Sequence, residues 1–135
     1  MHGIVGLAEG LRYVMSRSTE SLRGHELDLT EQMVRWAEGS GLYRVHGKFD
    51  RATHVGTISL TCPELPATEI GAILDEAFQI AVRPGLHCAP YVHRELGTFP
   101  DGTIRLSPGL FNTVEDIQAA CTALEEIAKE VSSLR

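Results

Sequence analysis

A cysteine that directly follows a histidine lies in the part of the sequence best suited to chemistry. Residues 83–90 read Arg-Pro-Gly-Leu-His-Cys-Ala-Pro, so a Pro-Gly turn precedes His87 and Cys88. Reactive residues tend to lie on loops that a rigid scaffold holds. A cysteine reacts as its thiolate, which needs exposure and nearby positive charge, and Arg83, His93 and Arg94 could supply that charge together with His87. The pattern makes Cys88 a candidate nucleophile.

Two other interpretations of Cys88 stay open at the level of residue types. Free cysteine is among the most buried residue types, so Cys88 could be a small core residue. His87, Cys88 and His93, with His54 as a fourth ligand, are also of the types that zinc accepts. Their spacing matches no familiar zinc finger, and the sequence contains no Cys-x-x-Cys pair. These alternatives are a core cysteine and a small metal-binding protein.

Arg105 is a second candidate for a functional role. In a predicted strand over 103–107, alternation puts Ile104 and Leu106 on one face and Arg105 on the other. Arg105 is then either a solvated residue on the open face or a clamp for a carboxylate. A planar guanidinium suits the second role because it can bind a carboxylate through two parallel hydrogen bonds. The residues alone leave both interpretations open.

Five stretches with apolar residues at helical spacing predict the helices of the chain. They cover approximately residues 3–17, 18–40, 70–77, the surroundings of Val92, and the region after 113. Ser18 or Thr19 can cap the second helix, and Thr113 with Asp116 resembles a capping box. The last helix has the clearest apolar stripe, which comprises Ile117, Cys121, Leu124, Ile127 or Ala128, Val131 and Leu134. We expect Ile117, Leu124, Ile127 and Val131 to be buried.

Four shorter runs rich in β-branched and aromatic residues predict the strands. They cover residues 42–46, 54–61, 80–83 and 103–107. We expect Pro84-Gly85 to end the third strand. The order of the elements predicts an α+β fold, a two-layer sandwich in which helices cover one face of a small, mostly antiparallel sheet. A chain of 135 residues is long enough for one domain over 1–135.

Charge and cysteine content exclude several classes of protein. The net charge is −6 and no basic stripe occurs, which argues against a nucleic-acid partner. No apolar run approaches the roughly 20 residues of a membrane span, so no membrane partner is expected. The start of the sequence lacks the basic and apolar regions of a signal peptide, and three cysteines are too few for a disulfide framework. We therefore expect a cytoplasmic protein.

The whole chain resembles one part of a known enzyme family. Residues 83–90 resemble the active-site loop of the second group of cysteine desulfurases, within the class-V aminotransferase superfamily. Residues 102–107, followed by 111–113, resemble that family's substrate-arginine strand and the cap of its last helix. Residues 3–11 are similar to the helix that follows the family's large domain, and 74–76 also fit. The chain thus resembles the C-terminal, substrate-side domain of such an enzyme.

The resemblance implies roles for three residues. Cys88 would take sulfur from cofactor-bound L-cysteine, leaving L-alanine, and would carry that sulfur as a persulfide. Arg105 would bind the substrate carboxylate, and His87 would help to position the loop. Pro84 stands where the family pattern leads us to expect a small residue. Selenocysteine lyases and other class-V members share parts of the pattern, so a fragment of one of these is an alternative.

The cofactor implied by the resemblance is pyridoxal phosphate, which the family holds on a lysine of its large domain. This chain has only Lys48, in a predicted turn, and Lys129, on the last helix. No glycine-rich loop opens a helix in the way that phosphate binding requires. We therefore expect that this chain alone binds no cofactor and that the isolated chain is inactive.

The implied partners are the large domain or subunit and a sulfur-acceptor protein, as in iron–sulfur cluster assembly. A homo-oligomer is expected too, because the face toward the large domain should be apolar and such patches seek partners. The alternative without catalysis is a stand-alone module that accepts sulfur or binds a partner.

Overall fold

The computed structural model describes residues 2–133 and confirms an α+β architecture. Its helices are α1 (His2–Met15), α2 (Thr19–Ser40), α3 (Ala67–Phe78), α4 (Pro90–Glu95) and α5 (Val114–Ser133). Its strands are β1 (Arg44–His46), β2 (Ile58–Thr61), β3 (Arg83–Gly85) and β4 (Thr103–Leu106). Leu134, predicted on the stripe of the last helix, lies outside the described residues.

The four strands form one antiparallel sheet in the order β1-β2-β4-β3. The register places Leu60 of β2 opposite Ile104 of β4, and Ile58 opposite Leu106. These four side chains are buried because α2 and α3 pack against their face of the sheet, and α5 packs against α2 and α3. The predicted two-layer arrangement, with helices over one face, is confirmed.

The apolar stripe of α5 supplies much of the core. Ile117, Leu124 and Ile127 are buried as predicted, and Cys121 is buried with them. The prediction for Val131 was wrong, because the buried positions of α5 end at Ala128 and Val131, further toward the end of the helix, is only half-buried.

The third strand differs from its prediction. Residues 80–82 are a connection after α3, in which the Ile80 amide donates to the Leu74 carbonyl. The strand instead spans Arg83–Gly85, so Pro84 and Gly85 belong to it rather than ending it. Proline is tolerated there because β3 is an edge strand, which forms ladder hydrogen bonds on one side only.

Close backbone approaches at two glycines bring α3, β3 and β4 together. A Cβ atom on Gly71 of α3 would lie 2.7 Å from Cγ of Pro84. A Cβ atom on Gly102, just before β4, would lie 2.2 Å from the carbonyl carbon and oxygen of Gly85, and Gly102 has a left-handed φ of +76°. Glycine at these positions therefore fixes the place where β3 leaves the sheet toward residues 86–89.

The first helix stands apart from this core. Its apolar side chains, including Ile4, Leu7 and Leu11, are exposed, and no residue of α1 is buried. A ring contact of 5.4 Å joins Tyr13 to Phe111, which precedes α5. Between residues 2 and 133, no helix is both long and apolar enough to cross a membrane.

Candidate active site

A row of polar side chains crosses the face of the sheet that lies opposite the helices. His46 of β1 is the partner of Ser59 in β2, Ser59 is the partner of Arg105 in β4, and Arg105 is the partner of Arg83 in β3. Successive residues of a strand point to opposite faces, and the buried neighbours Leu60 and Ile104 face the helices. Arg105 therefore lies on the open face, as the alternation predicted.

Arg83 and Arg105, which we call the arginine pair, carry like charges at directly opposite positions of two strands. Such an arrangement is unfavourable unless a counter-charge is present. None of the ion pairs found among residues 2–133 involves either arginine. Arg105 is half-buried, and its buried Nε atom has no hydrogen-bond acceptor within the described chain. The arginine pair is therefore suited to binding an anion.

Cys88 lies next to the arginine pair on the segment that links β3 to α4, and we call residues 86–89 the cysteine loop. Its thiol is exposed, which contradicts the interpretation of Cys88 as a core residue. Nη2 of Arg83 donates a hydrogen bond to Sγ of Cys88 over 3.6 Å. Arg83 thus links two of the three predicted site residues. Its side chain contacts the Cys88 thiol, and its partner in the neighbouring strand is Arg105.

The backbone of the cysteine loop is strained. His87 has a φ of 51° and Cys88 a φ of 61°, a left-handed conformation that non-glycine residues rarely adopt. Residues held in sparsely populated regions cost on the order of 1–3 kcal/mol each and persist only where their surroundings hold them. Nε2 of His87 donates to the Arg83 carbonyl over 2.8 Å, and the Ala89 amide donates to the Leu86 carbonyl. His87 is thereby placed where it constrains the loop.

Two further histidines flank the loop and the polar row. His93 of α4 is buried, its Nδ1 lies 2.7 Å from the Thr98 hydroxyl, and its ring centroid lies 5.6 Å from that of His87. The pKa of His46 is lowered, first by burial and then by the charges of Arg44 and His93. A lowered pKa favours neutral His46, which adds no further positive charge to the row at neutral pH.

The zinc interpretation has no ligand set in the part of the chain that the structure describes. His54 packs on the Phe49 ring, with Nε2 directed to the Thr57 carbonyl, in the segment before β2. Within residues 2–133, no three side chains of the histidine, cysteine or acidic types come together as a metal site would require.

The other two thiols lie in different environments. Cys121 is buried on α5, and burial raises its pKa to about 11. Cys62, at the end of β2, is half-buried against the core. Of the three free cysteines, Cys88 alone is exposed.

The two lysines do not fit the anchor that pyridoxal phosphate needs. Lys48 lies with Glu31, Arg35 and Glu38 at α2, on the helical side of the sheet. Lys129 lies on the exposed side of α5 in an ion pair with Glu125. Neither lies on the face that carries the arginine pair and the cysteine loop, so a cofactor serving that face would have to be held by other residues.

Arg83 is the residue whose position the sequence did not reveal. Its type and closeness in sequence marked it only as a source of positive charge for Cys88. Its place opposite Arg105 depends on the register of β3 against β4, and these two strands lie about twenty residues apart in the sequence. The spacing of neighbouring residues does not specify that register. Two arginines on strands that are predicted to pair are the signal that could have indicated an anion site.

Comparison with known proteins identifies the family of this chain. The family model of the class-V aminotransferases matches residues 1–120. A probable cysteine desulfurase from Pyrococcus abyssi is 30% identical over 133 residues, which are 97% of this chain and 32% of that protein. One from Aeropyrum pernix is 34% identical over 126 residues, 91% of this chain and 30% of the relative.

A solved structure shows the same fold within a larger molecule. The apo structure of a cysteine desulfurase from Thermococcus onnurineus NA1 superposes with a TM-score of 0.85 at 29% identity. The match covers 93% of this chain and 30% of that one, so the chain spans less than a third of the length of these proteins. The chain belongs to the class-V aminotransferase family, of which it represents one part.

Proposed function

We propose that this chain is the substrate-side part of a cysteine desulfurase that converts L-cysteine to L-alanine. The observation that carries the proposal is an exposed Cys88 within hydrogen-bonding distance of an arginine that is paired, across the sheet, with a second arginine lacking a counter-charge. A thiol nucleophile beside a site for an anion is what sulfur removal from an amino acid requires. Membership of the class-V family supports the same reaction.

The arginine pair binds the substrate through its carboxylate in this proposal. The guanidinium of Arg105, which forms no ion pair among the described residues, and the guanidinium of Arg83 on the opposite strand offer the donors. Guanidinium groups bind carboxylates through two parallel, charge-assisted hydrogen bonds. Such a contact fixes the orientation of the substrate as well as its position.

Cys88 acts as the sulfur acceptor. Its thiol sulfur forms a bond to the substrate sulfur while the carbon–sulfur bond of the substrate breaks. The substrate carbon gains a proton and becomes the methyl group of L-alanine, and Cys88 becomes a persulfide, so one thiol and one cysteine yield one persulfide and one alanine. Exposure gives Cys88 access to a substrate, and His87 constrains the loop on which it lies.

The cofactor of the reaction is supplied from outside this chain. Class-V relatives of this kind depend on pyridoxal phosphate, and neither Lys48 nor Lys129 is placed to anchor it. The partner is therefore the remaining part of the enzyme, about two-thirds of the length of the relatives. Transfer of the persulfide sulfur to an acceptor protein completes the proposal, and three free thiols fit a reducing, cytoplasmic setting.

A chimeric enzyme tests this function. The matching third of the Pyrococcus abyssi relative is replaced by this chain, and the product is assayed with L-cysteine and pyridoxal phosphate for alanine and sulfide. We expect turnover, a persulfide on Cys88 by mass spectrometry, and no turnover after Cys88→Ala. Cys62→Ala is the matched control and should stay active.

Three results would separate the alternatives. A folded chimera that forms no alanine would refute the desulfurase function. Alanine from L-selenocysteine alone would favour the selenocysteine lyase alternative. Sulfur accepted by Cys88 from a donor persulfide, without turnover of L-cysteine in the chimera, would favour the stand-alone acceptor module.

A further inference from the structure

We propose that Arg83 is a positioning residue that latches the cysteine loop while the arginine pair is empty, and that an anion bound to the pair releases Cys88. The inference rests on the proposed role of the arginine pair as a carboxylate site. It adds a coupling between occupancy of that site and the freedom of the nucleophile.

Arg83 holds the cysteine loop at two points. Its side chain donates to Sγ of Cys88 over 3.6 Å, and its carbonyl oxygen accepts from Nε2 of His87 over 2.8 Å. These are the two consecutive residues with left-handed backbones. A loop in a strained conformation returns to ordinary φ values when the contacts that hold it are removed. The Arg83 side chain is thus one of the restraints on the exposed thiol.

The same guanidinium group is a partner for an anion. Arg83 lies opposite Arg105, whose buried Nε has no acceptor in the described chain. A carboxylate between the two guanidinium groups would relieve the repulsion between the like charges. It would also form charge-assisted bonds to Arg83, which are shorter and stronger than a contact of 3.6 Å to a thiol. The anion and Sγ of Cys88 therefore compete for the guanidinium of Arg83. The bound anion displaces Sγ because its bonds to the guanidinium are stronger.

The test measures access to Cys88 in the chain as it stands. Limiting alkylation is followed by mass spectrometry at about pH 7, where an ordinary thiol is protonated as the latch requires, and each rate is divided by the thiolate fraction taken from the pH profile of that variant. Sodium acetate serves as the carboxylate probe, and sodium chloride at equal ionic strength controls for screening. We expect acetate to speed alkylation of Cys88 by roughly two- to tenfold, the population shift that one net hydrogen bond allows.

Variants of the arginines separate a latch from a structural role. Arg83→Gln should react fast without acetate and show no further response, and Arg105→Gln should react slowly with or without acetate. Arg83→Lys is a second variant, expected to respond weakly because a single ammonium group cannot bind as a planar fork. Arg44→Gln removes an exposed arginine from the same face at the other edge strand, and it should respond like the parent chain.

Several outcomes would overturn the latch. These are an equal effect of chloride and acetate, no effect of acetate on the parent chain, or an undiminished acetate response in Arg83→Gln. Circular dichroism confirms that each variant is folded. The alkylation measurement needs no catalysis, so its result is independent of the chimera assay. The latch can be refuted while the chimera still desulfurates cysteine, and the latch can be confirmed while the chimera is inactive.

Discussion

At the scale of single residues, the chemistry of this protein depends on how differently three identical side chains are placed. Cys88 lies on a strained loop with its thiol exposed, Cys62 is half-buried at a strand end, and Cys121 lies in the core. Reactivity follows access and ionisation rather than residue type. In the proposed site the arginine pair would work by the same logic, because a guanidinium without a counter-charge is free to bind an anion.

The three thiols should be modified in a fixed order. Brief treatment with limiting iodoacetamide at neutral pH should label Cys88 first, Cys62 more slowly, and Cys121 last, because access decreases in that order. Peptide mass spectrometry assigns each label to its residue. Labelling of Cys62 or Cys121 ahead of Cys88 would remove the main physical support for Cys88 as the sulfur acceptor.

Alkaline pH should destabilise the fold through Cys121. Burial raises its pKa from an ordinary value of 9.0 to about 11 in the folded chain. Between these values the unfolded chain has lost the thiol proton that the folded chain keeps, so the free energy of unfolding falls as pH rises. Urea unfolding at pH 8 and above pH 10 should show a smaller loss for Cys121→Ala than for the parent chain. Equal losses in both would show that another group causes the effect.

At the scale of elements, the packing of β3 on β4 decides where the cysteine loop begins. The loop leaves the sheet at Gly85, whose carbonyl lies against Gly102. On the other side of the sheet, the stripe of α5 holds the helical layer together by packing against α2 and α3. Both contacts can be tested with substitutions that have matched controls within the chain.

Gly102→Ala should be far more disruptive than Gly47→Ala. Both glycines have left-handed φ values, so both variants incur the strain of about 1–2 kcal/mol that L-residues experience there. Only Gly102 also meets backbone atoms at 2.2 Å, whereas nothing lies within 4 Å of a Cβ on Gly47. We expect an additional loss of about 1–3 kcal/mol or more in the free energy of unfolding of Gly102→Ala. Similar losses in urea titrations of the two variants would contradict the close approach.

Leu124→Ala should destabilise the fold much more than Val131→Ala. Leu124 is fully buried in the core, on the helix that packs against α2 and α3, and its truncation should cost about 2–5 kcal/mol through lost burial and a residual cavity. Val131 is half-buried near the end of the same helix and should cost about 1 kcal/mol or less. The two midpoints in urea give the comparison, and equal midpoints would mean that α5 is not anchored through Leu124.

At the scale of the whole molecule, the first helix leaves an apolar surface unpartnered. Its apolar side chains are more than half exposed at Ile4, Leu7, Leu11 and Met15, whereas the apolar side chains of the other long helices are largely buried in the core. Contiguous apolar patches of this kind mark surfaces that bind other proteins. Since the chain spans less than a third of the length of its relatives, we expect a segment that corresponds to the rest of that length to cover this helix.

Without that partner, the exposed helix should drive self-association. Light scattering of the isolated chain should show a mass above that of the monomer at high concentration, and Leu7→Glu with Leu11→Glu should shift it toward the monomer. Glu9→Gln, on the same helix, is the control and should leave the mass unchanged. A clean monomer of the parent chain at high concentration would count against this role for α1.

The sequence by itself determined most of the elements and the faces that α2, α5 and β4 bury. Periodicity and capping residues are local signals, so α2, α5 and the burial of Ile104 and Leu106 could be read from neighbouring residues. The exposed position of Cys88 was predicted from its loop and from the resemblance to cysteine desulfurases. The position of Arg105 on the open face followed from strand alternation.

Only the tertiary structure decided how these residues combine. The register of β3 and β4 places Arg83 opposite Arg105, and it includes Pro84, which the local pattern assigned to a turn. The bond from Arg83 to the thiol and the burial of His93 also depend on contacts between segments that no local pattern specifies. Local patterns fix which face a side chain takes, whereas the pairing of distant strands is set by the packing of the entire core, which decides which side chains meet.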